Sequence, residues 1–316
     1  MKKLICIAFF TTAIVAQPHI PSNPNMTLLI LEKNEINQKI SLLKKNLASD
    51  KENLNIVKEL TSLYIKLAKE KSDIKYMGYA KALLLPYLED NRNNYDLQMH
   101  YVDILQYTHH FDKALIEVDK AIQIDSKKGQ PFLTKASIYQ AQTKYAWALQ
   151  SCKKLVLRSS PLISATCITE AKSHLGKLDS SYTLLQSVYK KSLNNEKKEK
   201  LWALSSLSDM AYRLNKKEEA LNYLEEALVL NPKDYYILKK ISNIYLDQRQ
   251  YAKVIELLHK YDYVESLLLR LTLAEERLHR DNIGHKAELS AYVKILTLRK
   301  ESVHKEDKQL FMELGI

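Results

Sequence analysis

The sequence predicts an all-α chain built from stacked helix pairs, and three observations carry that prediction. A pattern of small and apolar residues recurs at intervals of 34, 33, 39 and 34 residues, and self-similarity at such a period marks a repeat architecture. Within each copy the apolar residues fall three or four positions apart, the spacing of one helical face. Only 5 glycines and 7 prolines occur in 316 residues, too few for the turns of a many-stranded sheet. A composition of 46% hydrophobic and 27% charged residues excludes collagen and disordered classes and provides for a continuous core.

Each element follows in chain order. Met1-Lys2-Lys3, an apolar run from Leu4 to Val15, and Ala13 and Ala16 ahead of Gln17-Pro18 predict a secretory signal peptide over 1–16, cut after Ala16 or after Ala13. Its apolar run, about 12 residues, is short of the roughly 20 that a spanning helix needs, and too few residues precede Cys6 for a lipoprotein signal. No later stretch reads as a transmembrane span. Residues 17–25, with Pro18, Pro21 and Pro24, read as a flexible lead-in, and 26–316 as a single domain. A loose pair over 53–92 carries Val57, Leu60, Thr61 and Tyr64 on one helix and Ala80, Leu84 and Tyr87 on the other, with extra residues from Asp73 to Gly78 between them. The clear copies span 95–128, 129–160, 162–194, 201–234 and 235–262, centred on Ala114, Ala148, Ser181, Ala220 and Val254. In each, the small or β-branched residue lets a second helix pack closely on the first. Asn215-Lys216-Lys217 makes the turn between helices without glycine. A degenerate pair is expected over 264–303, with helices near 266–280 and 285–302, and His304 to Leu314 start a further helix. Terminal repeats depart from the pattern because they cap an exposed apolar face.

The copy from Leu204 to Pro232, LSSLSDMAYRLNKKEEALNYLEEALVLNP, resembles a tetratricopeptide repeat almost throughout. That resemblance implies helix pairs stacked into a right-handed superhelix, whose first helices line a concave groove that binds a protein or peptide partner. The stretches DIKYMGYAKALLLPY (73–87), LQYTHHFDKALIEVDKAI (105–122), QPFLTKASIYQAQTKYAWAL (130–149) and ESLLLRLTLAEERL (265–278) are similar to a group of secreted proteobacterial tetratricopeptide proteins of unassigned function, a likeness that implies no particular activity.

Continuing the register of the first helices, the inward positions include Asp103, Gln106 and Tyr107, then Gln130, Ser137 and Gln140, then Glu170 and His174. They go on to Trp202, Asp209, Tyr212 and Arg213, and to Lys239 and Asn243. Amides and hydroxyls can hydrogen-bond an extended peptide backbone, and Tyr and Trp add contact area at low rotamer cost. The alternative is a solvated face with no dedicated ligand. Lys239 and Asn243, one turn apart, resemble part of the clamp that some tetratricopeptide domains close on a C-terminal carboxylate.

Charge supplies a second candidate surface. The formal net charge of +11 becomes +9 without Lys2 and Lys3, and the segment from Lys127 to Lys200 holds fourteen basic residues against four acidic ones. Lys153, Lys154, Arg158, Lys172, Lys177, Lys190 and Lys191 are expected to form a basic patch for an acidic protein segment or an anionic envelope component, unless they are simply a solvated face. Export makes nucleic acid an improbable ligand and places the soluble chain in an oxidising space, most simply a periplasm. There, Cys152 and Cys167, equidistant from the Ser159-Ser160-Pro161 turn, are placed to form a disulfide between antiparallel helices; two buried thiols are the alternative.

Motifs of catalysis are missing. The glycine-poor sequence has no dinucleotide or P-loop fingerprint and no G-x-S-x-G elbow. No His-Glu-x-x-His or paired Cys-x-x-Cys is present, and His109 and His110 point about 100° apart on a helix. Glu265-Ser266 and Glu301-Ser302 resemble the acid dipeptide of peptidoglycan lyases but lie within expected helices, with no separate catalytic domain around them. The expectation is a non-enzymatic scaffold with no cofactor and no metal.

Overall fold

The computed structural model describes residues 35–71, 74–192, 194–262, 264–278 and 307–314. The expected signal peptide, the lead-in and the helix over 285–302 lie outside the described residues. Among those residues the chain forms fifteen helices and no strand. They are α1 (Glu35–Ser49), α2 (Leu54–Lys71), α3 (Lys75–Asp90), α4 (Tyr95–Tyr107), α5 (Phe111–Ile124), α6 (Gln130–Ala141), α7 (Tyr145–Lys153), α8 (Pro161–Ser173), α9 (Leu178–Lys190), α10 (Lys197–Arg213), α11 (Lys217–Leu230), α12 (Tyr235–Asp247), α13 (Tyr251–Leu258), α14 (Glu265–Leu278) and α15 (Lys308–Glu313).

First and second helices begin in different ways. Most first helices start at a side-chain cap that satisfies otherwise orphaned backbone donors. Asn53 accepts from Asn55 and Ile56, Asn94 from Asp96 and Leu97, Ser160 from Ile163, and Asp234 from Tyr236 and Ile237. Second helices grow directly from a tight left-handed turn. His109, Thr143, Asn215 and Arg249 have φ between 57° and 60°, and Gly176 has φ 78°. These five positions repeat at the same 34, 33, 39 and 34 residues as the small residues of the second helices. The residue after each donates to a carbonyl five positions back, for example His110 to Leu105 at 2.8 Å, Lys144 to Tyr139 at 2.8 Å and Lys216 to Ala211 at 2.9 Å, which closes the end of the first helix. Only one of the five is glycine, so the other four accept a conformation costing on the order of 1–2 kcal/mol each.

Ala114, Ala148, Ala220 and Val254 are fully buried and Ser181 nearly so, because each sits where a second helix crosses its own first helix. Second helices also pack on the next first helix, and first helices on one another: α2 on α4, α6 on α8, α8 on α10, α12 on α14. The result is two layers, first helices on one side and second helices on the other, with the buried clusters running between them.

Three details depart from the pattern read in the sequence. The 39-residue interval is taken up by α10, which begins at Lys197 and runs 17 residues, because Lys197-Lys198-Glu199-Lys200 are good helix formers and extend it by a turn. The second helices on either side of it are bridged by side chains: Tyr182 donates to Glu219 at 2.6 Å and Gln186 to Tyr223 at 2.7 Å. Near the start, the extra residues lengthen α2 to 18 residues, and Gly78 lies inside α3. Finally, α7 stops at Lys153 after nine residues, and the chain turns from Lys154 to Ser159 before α8 begins.

Candidate functional site

Clefts lined by three consecutive first helices show which face of the array is concave. One, of about 510 Å³, is formed by α8, α10 and α12 and lined by Glu170, His174, Trp202, Ser205, Asp209 and Lys240, among others. A second lies between α2, α4 and α6 and brings Asp103 and Gln130 together with Asn55, Lys58, Asp96 and His100. No second-helix residue lines either one.

Glu170 sits at the floor of the first cleft. Trp202 donates its side-chain N–H to the carboxylate, while Oε2 is buried and bonded to nothing in the chain. Burial pushes the Glu170 pKa up to about 7; Asp209 adds to the rise, while Lys240, the Trp202 hydrogen bond and Arg213 oppose it. Lys240 is held over the cleft by hydrogen bonds from Nζ to the Ser205 carbonyl and hydroxyl, at 3.2 and 3.1 Å. Arg213 braces the adjoining rim, donating to Ser173 and pairing with Asp209 at 3.4 Å. Its approach to the His174 ring, together with burial, lowers the His174 pKa, burial being the larger cause. His174 in turn stacks on Tyr145, rings 4.3 Å apart and 6° from parallel. The cleft therefore offers an aromatic wall, a fixed ammonium and an acceptor that lacks a donor.

The raised Glu170 pKa has a consequence for stability. The unfolded chain releases this proton near 4.5, whereas the folded chain keeps it to about 7. Between those values the folded state binds more protons, so raising the pH through this window destabilises it. Glu170→Gln should leave stability nearly unchanged near pH 4.5 and raise it by about 3 kcal/mol at pH 8, read by denaturation at both pH values. A variant no more stable than wild type at pH 8 would remove the assignment.

In the second cleft burial also dominates, raising the Asp103 pKa against the pull of Lys69 and His100, and lowering that of His100. Gln106 donates to Ser137 across α4 and α6 at 2.7 Å, so these two expected groove residues pair with each other. Gln140 is half-buried with Nε2 bonded to nothing in the chain.

Several expected positions are corrected. Tyr107 packs against the core and donates to the Ala68 carbonyl at 3.0 Å, so it ties α4 to α2 instead of facing a ligand. Tyr212 stands at the end of α10, hydrogen-bonded to Asp247 with Lys217 over its ring, outside the cleft. Lys239 lies against Tyr236 and Lys240 takes the cleft position, since one residue turns a helix by about 100°. Asn243 accepts from Arg270 at 2.6 Å, which ties α12 to α14.

The basic patch is also corrected. Lys153, Lys154, Arg158, Lys190 and Lys191 lie where second helices end, whereas Lys172 and Lys177 flank the turn between α8 and α9 at the opposite end of the helices. A helix of 13 residues separates those edges by about 20 Å, so the seven cations form two groups. Arg158 is engaged internally, donating to Ser126 and Lys154 carbonyls and lying over Phe132. Cys152 and Cys167 are joined in a disulfide with Cα atoms 5.4 Å apart. Among the described residues no group of three or more His, Cys, Asp or Glu is placed to hold a metal, and no helix is long and apolar enough to cross a membrane.

Comparison with known proteins agrees with this architecture. Residues 202–234 match the tetratricopeptide repeat family model, and no curated protein matches the chain in sequence. A tetratricopeptide repeat protein from Parabacteroides merdae is similar in structure with a TM-score of 0.54 at 12% identity, over 84% of this chain and 93% of that one. A chain of the APC/C hetero-tetramer Cut9-Hcn1 gives 0.54 at 13% identity over 88% of this chain. It is matched over only 52% of its own length, so the present chain spans about half of it. The human IFIT1 dimer with PPP-AAAA gives 0.58 at 13% identity, over 80% of this chain and 61% of that one. At such identities the likeness is one of fold, a right-handed superhelix of helix pairs. With its recurring left-handed turns and buried small residues, the chain has the tetratricopeptide-type fold and carries a tetratricopeptide repeat at 202–234.

Proposed function

We propose that the chain is a non-enzymatic scaffold that captures an extended protein or peptide segment along its first-helix face. The observation that carries this reading is the buried, unbonded Glu170 Oε2 beneath Trp202 and Lys240. An unmet acceptor inside a cleft has a cost, and a backbone N–H or a basic side chain of a bound segment would remove it. Gln140 Nε2, a donor without an acceptor one repeat earlier, suits a carbonyl of the same segment. An extended chain advances about 3.3 Å per residue, so a segment of six to eight residues would span neighbouring first helices. Export to a periplasm is part of the same reading and is supported by the Met1 to Ala16 segment.

The test is selection of extended peptides from a random displayed library, followed by anisotropy titration of the winners. Trp202→Ala/Lys240→Ala should weaken the selected peptides by about thirtyfold or more, as expected when an aromatic anchor and a fixed charge are lost together. Peptides that bind wild type and the double variant equally, or a library that yields none, would sink the proposal.

A further inference from the structure

The geometry points to a second binding surface: the edge where the second helices end docks on an anionic lipid bilayer, with Val156 and Leu157 entering its interface. The observation is an anomaly of exposure. Leu157 is 92% exposed and Val156 55% exposed, side by side in the turn between α7 and α8, while the preceding Leu155 is buried at 1%. Single exposed apolar residues need no explanation, but this pair is held out by its surroundings. Arg158 Nε donates to the Ser126 carbonyl at 2.9 Å and Nη1 to the Lys154 carbonyl at 3.0 Å. The Gly129 backbone lies so close to the Arg158 carbonyl that a Cβ there would fall 2.6 Å from it. On the helix side, Cys152 is bonded to Cys167. The turn is thus fixed on three sides, and its two apolar side chains project outward.

Charge says what covers them. All second helices run in the same direction, so their C-terminal ends share one edge, and Lys127, Lys128, Lys153, Lys154, Lys190 and Lys191 lie along it in three consecutive repeats. Lys153, Lys154, Lys190 and Lys191 are exposed and, among the described residues, none is paired with a carboxylate. Lysines at helix C-termini already offset the helix dipole, which accounts for one per helix but not for consecutive pairs beside a projecting Val-Leu tip. An acidic protein segment would use the cations and leave the tip in water. A bilayer with anionic headgroups uses both, with apolar side chains sinking past the phosphates and lysines remaining among them.

The test is flotation of the purified chain with vesicles of phosphatidylglycerol and phosphatidylethanolamine, against vesicles of phosphatidylcholine alone. Wild type is expected to float with the anionic vesicles and stay unbound with the neutral ones. Lys153→Gln/Lys154→Gln/Lys190→Gln/Lys191→Gln should reduce vesicle affinity about a hundredfold, at roughly fivefold per lysine near such a surface and allowing for incomplete contact. Val156→Ser/Leu157→Ser should reduce it about tenfold through lost apolar burial. Lys172→Gln/Lys177→Gln, on the opposite edge, should change it less than twofold. All substituted side chains are exposed, and matching thermal melts confirm that the variants fold. The proposal is overturned if wild type does not float, if the neutral vesicles bind equally, or if the Val156/Leu157 variant binds as tightly as wild type. Equal losses in the two lysine variants would also overturn it, since the charge would then act without regard to edge.

Discussion

Arg270→Met is expected to destabilise the C-terminal repeats by about 3–5 kcal/mol, the range for breaking a buried ion pair by removing one member. Arg270 is only 2% exposed. Its Nε donates to Asn243 on α12 at 2.6 Å, Nη1 to the Ser266 carbonyl on α14 at 2.7 Å, and Nη2 to Asp307 at the start of α15 at 2.8 Å. One guanidinium therefore joins three helices. Methionine fills much of the volume but leaves the Asp307 carboxylate, 4% exposed, without that cation. Arg270→Met/Asp307→Leu should recover most of the loss, because well-packed apolar residues replace a buried pair at little net cost. A repeat array opens piecewise, so the readout is local: hydrogen exchange in α14 and α15 should accelerate in the single variant and return toward wild type in the double. Exchange in the single variant within about fivefold of wild type, or a double variant no better than the single, would refute the account.

Arg270 also illustrates what the sequence does and does not disclose. In ESLLLRLTLAEERL it is one charged residue in an apolar run, and nothing in the local pattern marks it as buried. Its partner, Asp307, is 37 residues away, and no local spacing connects them. Buried positions are different. The small residues at Ala114, Ala148, Ser181, Ala220 and Val254 are legible because each must satisfy the same steric condition, a close crossing between antiparallel helices, and so recurs at a fixed interval. Nothing comparable constrains the polar face, where hydration tolerates many residues. There the register slipped by one between Lys239 and Lys240, both lysines in adjacent positions of α12. Glu170, Trp202 and Asp209, carried forward along the same face, do meet in one cleft. The seven basic residues divide between two edges for a topological reason: successive helices reverse direction and deliver residues close in sequence to opposite edges. Helix α1 has a legible signal outside the repeat period, since Ile36, Ile40, Leu43 and Leu47 fall four, three and four residues apart and pack on α2.

Reduction of the Cys152–Cys167 disulfide is expected to destabilise the middle repeats by about 3 kcal/mol, the chain-entropy value for a loop of some 15 residues. The bond lies at a shortened second helix. Second helices α5, α9 and α11 run 13 or 14 residues, whereas α7 runs nine and α13 eight. The disulfide ties the end of α7 to α8 within a buried cluster that includes Ala148, Leu155 and Ala171, adding a covalent constraint to their packing. Cys152→Ala/Cys167→Ala should therefore lower the denaturation midpoint of wild type, and added reductant should lower wild type to the level of the variant without affecting the variant itself. Hydrogen exchange should place the loss in α7, α8 and the turn between them, with α12 and α13 unchanged. Peptide mapping of the chain recovered unreduced from its host tests the same bond and the export reading together. Thiols found free at Cys152 and Cys167 would defeat both, because an oxidising compartment is what allows this pair to close.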